Sequence, residues 1–160
     1  MQIYLLRHGI AEDRRPGGSD AERPLTPKGK EKLRQVLERA RAAGAEPSLI
    51  LSSPLVRAVE TAGVAAEVLK YAGQIMRVDA LAPDADPAEL WNEIRGRRDE
   101  SAILAAGHEP HMSAAVAYLL GAPSLAVDMK KAALVRLDID RFAGEPRGVL
   151  KWMLIPGVAG

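Results

Sequence analysis

The chain has 160 residues, 48% of them hydrophobic, and a net charge of +1, which suits a single domain over residues 1–160 with its own core. Aromatics are only 4%, so Leu, Val, Ile and Ala must build that core, and no basic stretch with interleaved aromatics supports a nucleic-acid partner. Cysteine is absent, which excludes disulfides and thiolate chemistry; with no leader and no apolar run of transmembrane length, no membrane partner is expected and the cytoplasm is the expected location.

The first element is the apolar run Ile3-Tyr4-Leu5-Leu6, short enough to predict a buried strand that ends at Arg7-His8-Gly9. Ile10 to Pro24 is rich in charge, Gly and Pro and reads as a loop hanging off that turn. Thr26 and Pro27 then form an N-cap signal. Leu33, Val36, Leu37 and Ala40 give a helical stripe, which Gly44 can close. Leu49-Ile50-Leu51 predicts a second strand, ending in a second cap-plus-proline signal, Ser52-Ser53-Pro54. Leu55, Val59, Ala62, Ala66 and Leu69 would be the apolar stripe of the next helix, with Arg57 in its first turn and off the stripe. A third strand is expected over Ile75 to Val78, then a turn-rich loop from Leu81 to Asp86. Asp86, Pro87 and Glu89 form a capping-box signal for a third helix whose inner face is Leu90, Trp91 and Ile94. A fourth strand, Ala102 to Ala106, ends at Gly107-His108, and Met112, Ala115, Val116 and Leu119 mark a fourth helix stopping near Gly121.

The remainder changes character. Ala133, Val135, Leu137 and Ile139 alternate with Leu134, Arg136 and Asp138, as in a strand with one wetter face. Val149 to Ile155 predicts a last strand, pairing with it as an antiparallel hairpin at a sheet edge, and Pro156 to Gly160 reads as a loose end. Strands alternating with helices predict an α/β fold: a three-layer α/β/α sandwich, mostly parallel, with helices on both faces and that C-terminal edge hairpin.

In such sheets ligands bind beyond the carboxyl ends of the strands. Three strands here end in a loop that supplies an anion ligand: Arg7 with His8, then Arg57, then His108. Arg57 alone would pass as an ordinary solvated helix residue; the joint pattern makes these four side chains one phosphate site. Arginine donates two planar hydrogen bonds and stays charged. A neutral imidazole at His8 can attack phosphorus, and His108 can donate to a phosphate oxygen.

Arg7-His8-Gly9, Ser52-Ser53-Pro54 followed by Arg57 and Thr61-Ala62, and Gly107-His108 occur here in order and context. Together they resemble the histidine phosphatase superfamily, also called phosphoglycerate mutase-like. The small size, the run Arg23-Pro24-Leu25-Thr26-Pro27-Lys28-Gly29 and the turn Gly107-His108-Glu109-Pro110 look most like the SixA-type phosphohistidine phosphatases. The resemblance implies a phosphoglycerate mutase-like fold. It implies His8 as nucleophile forming a transient phosphohistidine, and Arg7, Arg57 and His108 as holders of the phosphoryl oxygens. Water would complete hydrolysis with no metal and no cofactor. Histidines 8, 108 and 111 show no zinc spacing, and His111 reads as a helix-start residue rather than a catalytic one.

The general acid is open. Many superfamily members carry it in the loop after the third strand, where this chain has Asp84, Asp86 and Glu89. The capping box explains Asp86 and Glu89, which leaves Asp84 as the candidate; Glu109, Glu12 and Asp13 are others. A weak acid signature fits a phosphoramidate, whose nitrogen leaves more easily than an alkoxide. Lys130-Lys131 and Arg14-Arg15 read as solvated charge. The expected activity is removal of phosphate from phosphohistidine on a protein, so the partners would be phosphate and a phosphorylated protein, with no oligomeric state implied. Two alternatives are a small-molecule phosphomonoesterase or mutase and a non-catalytic phosphate-binding module.

Overall fold

The structure is a computed structural model describing residues 1–157; residues 158–160 of the expected loose end lie outside the described residues. In chain order the elements are β1 (Gln2–Arg7), α1 (Pro27–Ala42), β2 (Leu49–Ser52), α2 (Val56–Val68), β3 (Ile75–Arg77), α3 (Pro87–Arg95), β4 (Ala102–Gly107), α4 (His111–Leu119), β5 (Leu134–Asp138) and β6 (Val149–Leu154). Two short 3-10 turns, Asp20–Glu22 and Asp79–Leu81, give form to the ends of segments that read as loops.

Local chemistry sets two of the helix starts as expected. Thr26 Oγ1 accepts from Gly29 N at 2.9 Å, with Pro27 in the first helical position. Asp86 Oδ1 accepts from Ala88 N at 3.0 Å while Glu89 Oε2 accepts from Asp86 N at 2.7 Å, a complete capping box. Gly44 sits at φ 90°, the left-handed conformation that stops α1. The start of α2 differs from expectation: its N-cap is Leu55, with no side-chain cap, and Ser53 Oγ accepts from Leu55 N and also meets His108 Nε2.

The six strands form one sheet in the order β3-β2-β4-β1-β5-β6. The first four are parallel, β5 runs antiparallel to β1, and β6 antiparallel to β5, which is the expected edge hairpin. One face carries Ile3, Leu5, Ile103 and Ala105 against α3 and α4; the other carries Tyr4, Leu6, Leu104 and Ala106 against α1 and α2. This is a three-layer α/β/α sandwich with a core on each side. Strands covered twice read as continuous apolar runs, and each fully buried Leu or Ile among them contributes roughly 1.5–3 kcal/mol. The wetter face expected on β5 is only partly wet: Leu134 is fully buried under α1 and β6 residues, while Arg136 is half-buried.

Register places the site. Arg7 pairs with Gly107, and Ser52 pairs with Ala106, so β1, β4 and β2 end level. The ladder continues past the strands, with His8 N donating to Gly107 O and Ser53 N donating to Ala106 O, each at 3.0 Å. No helix among the described residues is long and apolar enough to cross a membrane.

Candidate active site

Those last rungs set His8, His108 and Ser53 side by side at the carboxyl edge of three neighbouring strands. The rings of His8 and His108 lie with centroids 5.1 Å apart, tilted by 59°. Both side chains are buried, His8 to 8% exposure and His108 to 2%.

The hydrogen-bond network fixes the His8 tautomer. His8 Nδ1 lies 2.7 Å from Gly9 O. A carbonyl only accepts, so Nδ1 carries the hydrogen and Nε2 keeps a free lone pair. His108 Nε2 lies 2.7 Å from Ser53 Oγ, and Ser53 Oγ also accepts from Leu55 N at 3.2 Å. Leu55 N takes one of the two Ser53 lone pairs; with the Ser53 hydroxyl hydrogen directed to His108 Nε2, His108 holds its own hydrogen on Nδ1. Burial, chiefly, lowers His8 to a pKa of about 4; the Gly9 carbonyl opposes this, and the charges of Arg57, Arg7 and Lys131 add to it. Burial likewise lowers His108 to about 3, helped by His8 and Arg57. Both rings are neutral at pH 7.

The two arginines are held from outside. Arg7 Nη1 donates to Met129 O at 2.8 Å. Arg57, expected off the apolar stripe of α2, is instead buried, because the helix packs by Arg57, Ala58, Thr61, Ala62, Val64 and Ala65, whereas Leu55, Val59 and Ala66 are half-buried. Arg57 Nη1 donates to Asp20 O at 2.9 Å and Nη2 to Asp20 Oδ2 at 3.0 Å. Thr61 links the helix to the first motif: its hydroxyl donates to Arg57 O at 2.7 Å and accepts from Gly9 N at 3.3 Å.

Five buried side-chain nitrogens have no hydrogen-bond partner among the described residues: both ring nitrogens of His111 and, around His8, Arg7 Nε, Arg57 Nε and His108 Nδ1. Buried polar groups are nearly always bonded, and each orphan costs about 1–3 kcal/mol. The last three come from the ends of β1, α2 and β4, and each belongs to a side chain whose field depresses the His8 pKa or whose ring lies beside it. An anion with several acceptor oxygens would satisfy them.

The carboxylate that bonds to an arginine of the site among the described residues is one the sequence did not single out. Asp84 is exposed on the loop before α3 and makes no hydrogen bond or ion pair among the described residues. Asp86 and Glu89 are spent on the capping box. Glu109 Oε1 accepts from Ser113 N at 2.7 Å and so closes the start of α4. Glu12 pairs at 3.6 Å with the exposed Arg15, and Asp13 and Arg14 are exposed. Asp20, which sequence reasoning missed, touches the site. Its pKa is lowered by hydrogen bonds from Arg23 first and then from Arg57. The Asp20 and Arg23 spacing within the loop was the available signal. His111 is the first residue of α4 and is buried, in keeping with a helix-start role.

Residues 3–82 match the family model of the histidine phosphatase superfamily (branch 1). An uncharacterized protein of Picosynechococcus sp. is 33% identical over 86% of this chain and 84% of its own length. A shorter stretch, 42% of this chain, is 45% identical to the protein designated probable phosphoglycerate mutase GpmB of Enterobacter sp., but spans only 31% of that protein. Two SixA structures superpose over nearly the whole chain. The protein histidine phosphatase SixA complexed with tungstate has a TM-score of 0.86 and 24% identity, covering 98% of this chain and 97% of that one. A candidate phosphohistidine phosphatase SixA from Agrobacterium tumefaciens has a TM-score of 0.82 and 25% identity, covering 97% of each chain.

Proposed function

Because the chain belongs to the histidine phosphatase superfamily (branch 1), we propose that it is a metal-independent phosphatase that removes phosphate from phosphohistidine on a protein, with His8 as the nucleophile. The observation that carries this reading is the His8 ring: neutral at pH 7, its hydrogen fixed on Nδ1 by Gly9 O, and its Nε2 lone pair free. The likeness to SixA supports the phosphohistidine substrate. A cysteine-free chain suits the reducing cytoplasm, where we place the reaction.

The phosphoryl group sits with its oxygens on Arg7 Nε, Arg57 Nε and His108 Nδ1, donors already in place before the reaction. His8 Nε2 attacks phosphorus, the bond from phosphorus to the substrate nitrogen breaks, and that nitrogen keeps the electron pair and takes up a proton. Asp84 is the proposed donor of that proton. A phosphoramidate nitrogen leaves readily, so the exposed position of Asp84 is tolerable for this substrate. Water then attacks the phosphorus of phospho-His8, inorganic phosphate departs, and His8 regains its lone pair. The charge stabilisation comes from the two arginines and needs no metal ion.

The match to GpmB favours a second reading, a small phosphate ester as substrate. An alkoxide leaving group would depend on a positioned acid far more than a phosphoramidate does. The test is phosphate release from a phosphohistidine-bearing protein with a chelator present, comparing wild type with folded His8→Ala. Release by wild type alone is expected. Release from a sugar phosphate but not from the phosphoprotein would put the second reading first, and silence on both would point to a phosphate-binding module.

A further inference from the structure

Beside the phosphate seat lies an open cleft of about 580 Å³, and Arg7 forms the wall between the two. Half of its eight lining residues are cationic: Arg7, Lys32, Lys130 and Lys131. None is acidic, in a chain whose net charge is only +1. Lys32 and Lys131 have no ion-pair partner among the described residues, and Lys130 meets only the exposed Asp128, at 3.0 Å. The rest of the lining is apolar, led by Ile10 and Ile155.

The segment bearing the two lysines is built into the site rather than draped over it. Met129 O holds Arg7 Nη1 at 2.8 Å, and Ala132 N donates to His8 O at 3.2 Å. Ala132 is buried at φ 64°, a left-handed conformation that is strained for a residue with a Cβ. Strain of that kind persists where the surroundings impose it, and Lys131, the residue before it, lines the cleft. Lys131 is close enough for its charge to act on His8.

We propose that this cleft is a second anionic subsite, which takes a carboxylate-bearing stretch of the substrate protein next to its phosphorylated histidine. The inference rests on the phosphoprotein reading above and deepens it. The phosphoryl group enters the seat of Arg7, Arg57 and His108; an Asp or Glu side chain close by meets Lys32, Lys130 and Lys131; an apolar neighbour covers Ile10 and Ile155. Charges collected on one side of a cleft steer partners of opposite sign and reject those of like sign. Two exposed lysines and one half-buried lysine support a preference of about tenfold over a neutral sequence.

The test uses two histidine-phosphorylated peptides that differ only in acidic residues (Asp and Glu) or their amides (Asn and Gln) flanking the phosphohistidine, with the full chain and the triple variant K32Q/K130Q/K131Q. Wild type is expected to favour the acidic peptide about tenfold in kcat/KM at low salt. That ratio should fall towards one in the triple variant and at about 0.5 M salt, where surface charges are screened. Turnover of both peptides by wild type at equal efficiency would overturn the subsite while leaving the phosphatase reading intact. A second arm, anisotropy of the unphosphorylated peptides, is independent of catalysis. Tighter binding of the acidic peptide to wild type, lost in the triple variant, would support the cleft even if no phosphohistidine were hydrolysed, a result that would sink the phosphatase reading alone. Equal binding of both peptides would overturn the cleft whatever the activity. Lysine-dependent hydrolysis of a small ester with a second anionic group, with neither peptide turned over or bound, would assign the cleft to a small molecule and overturn the protein assignment.

Discussion

Ser53→Ala should disable His108 without touching its ring. The Ser53 side chain is fully buried, its Oγ lies 2.7 Å from His108 Nε2, and that oxygen accepts from Leu55 N at 3.2 Å. The alanine variant leaves Nε2 buried and unpaired, and with the Ser53 hydroxyl acting as donor to Nε2 it also removes the bond that keeps the ring hydrogen on Nδ1. An orphaned buried group costs about 1–3 kcal/mol. If Nδ1–H donates to the phosphoryl group in the transition state, that cost appears in the rate, as a loss of roughly five- to 150-fold in kcat/KM. The assay is steady-state phosphate release by wild type, Ser53→Ala, His108→Ala and the double variant, with circular dichroism confirming that each is folded. Since Ser53 acts through His108, adding Ser53→Ala to His108→Ala should cost less than about twofold. Losses that simply add would refute the assignment of the His108 tautomer and of Ser53 as its positioning residue.

Other outcomes follow from the same geometry. With His8 lowered to about 4, the acid limb of kcat/KM that His8 sets should lie near pH 4 and not near the ordinary histidine value of 6.5; a His8 limb at 6.5 in a pH–rate profile would mean a solvated ring. His8 and His108 both have folded pKa values below the unfolded one, so their contribution to stability is full above pH 6.5 and is lost as pH falls through about 4 and 3, which denaturant titrations across that window would register. Asp20→Ala removes the carboxylate that holds Arg57 but, because Asp20 is half-exposed, should lower kcat/KM only about two- to fivefold; no change would mean that Arg57 holds its position unaided. Gly29→Ala would place a Cβ 2.3 Å from Ile10 O, so the start of α1 must back away from the Gly9 turn; a loss of about 1–3 kcal/mol in denaturant unfolding is expected. Gly63→Ala, with nothing within 4 Å, should stabilise α2 by roughly 0.5–1 kcal/mol and serves as the control. Asp84→Asn should change phosphohistidine turnover by less than about threefold while lowering turnover of an alkyl phosphate by more than about tenfold; equal losses on both would contradict the leaving-group argument.

What the sequence made legible was local. The runs at Ile3, Leu49 and Ala102 are strands because both sheet faces are covered, and the caps at Thr26 and Asp86 need only neighbours within three residues. The site was legible where a motif ends a strand, as at His8 and His108. What was not legible depended on distance. Ser53 reads as a cap because Ser-Pro is a local signal, yet its partner His108 is 55 residues away. Arg57 reads as solvated because arginine usually is; its burial follows from Asp20, 37 residues back in a loop without periodicity. The bond from Arg7 to Met129 spans 122 residues, so no local pattern could have tied the Lys130 segment to the nucleophile.

The most direct test of the central claim is a rapid acid-free quench of the wild-type enzyme during turnover of a phosphohistidine protein labelled in phosphorus, followed by mass mapping of the enzyme. Label on His8, lost on mild acid treatment and absent from folded His8→Ala, is the expected result. Turnover with no phosphorylated His8 at any time in wild type, or unimpaired turnover by His8→Ala, would contradict it.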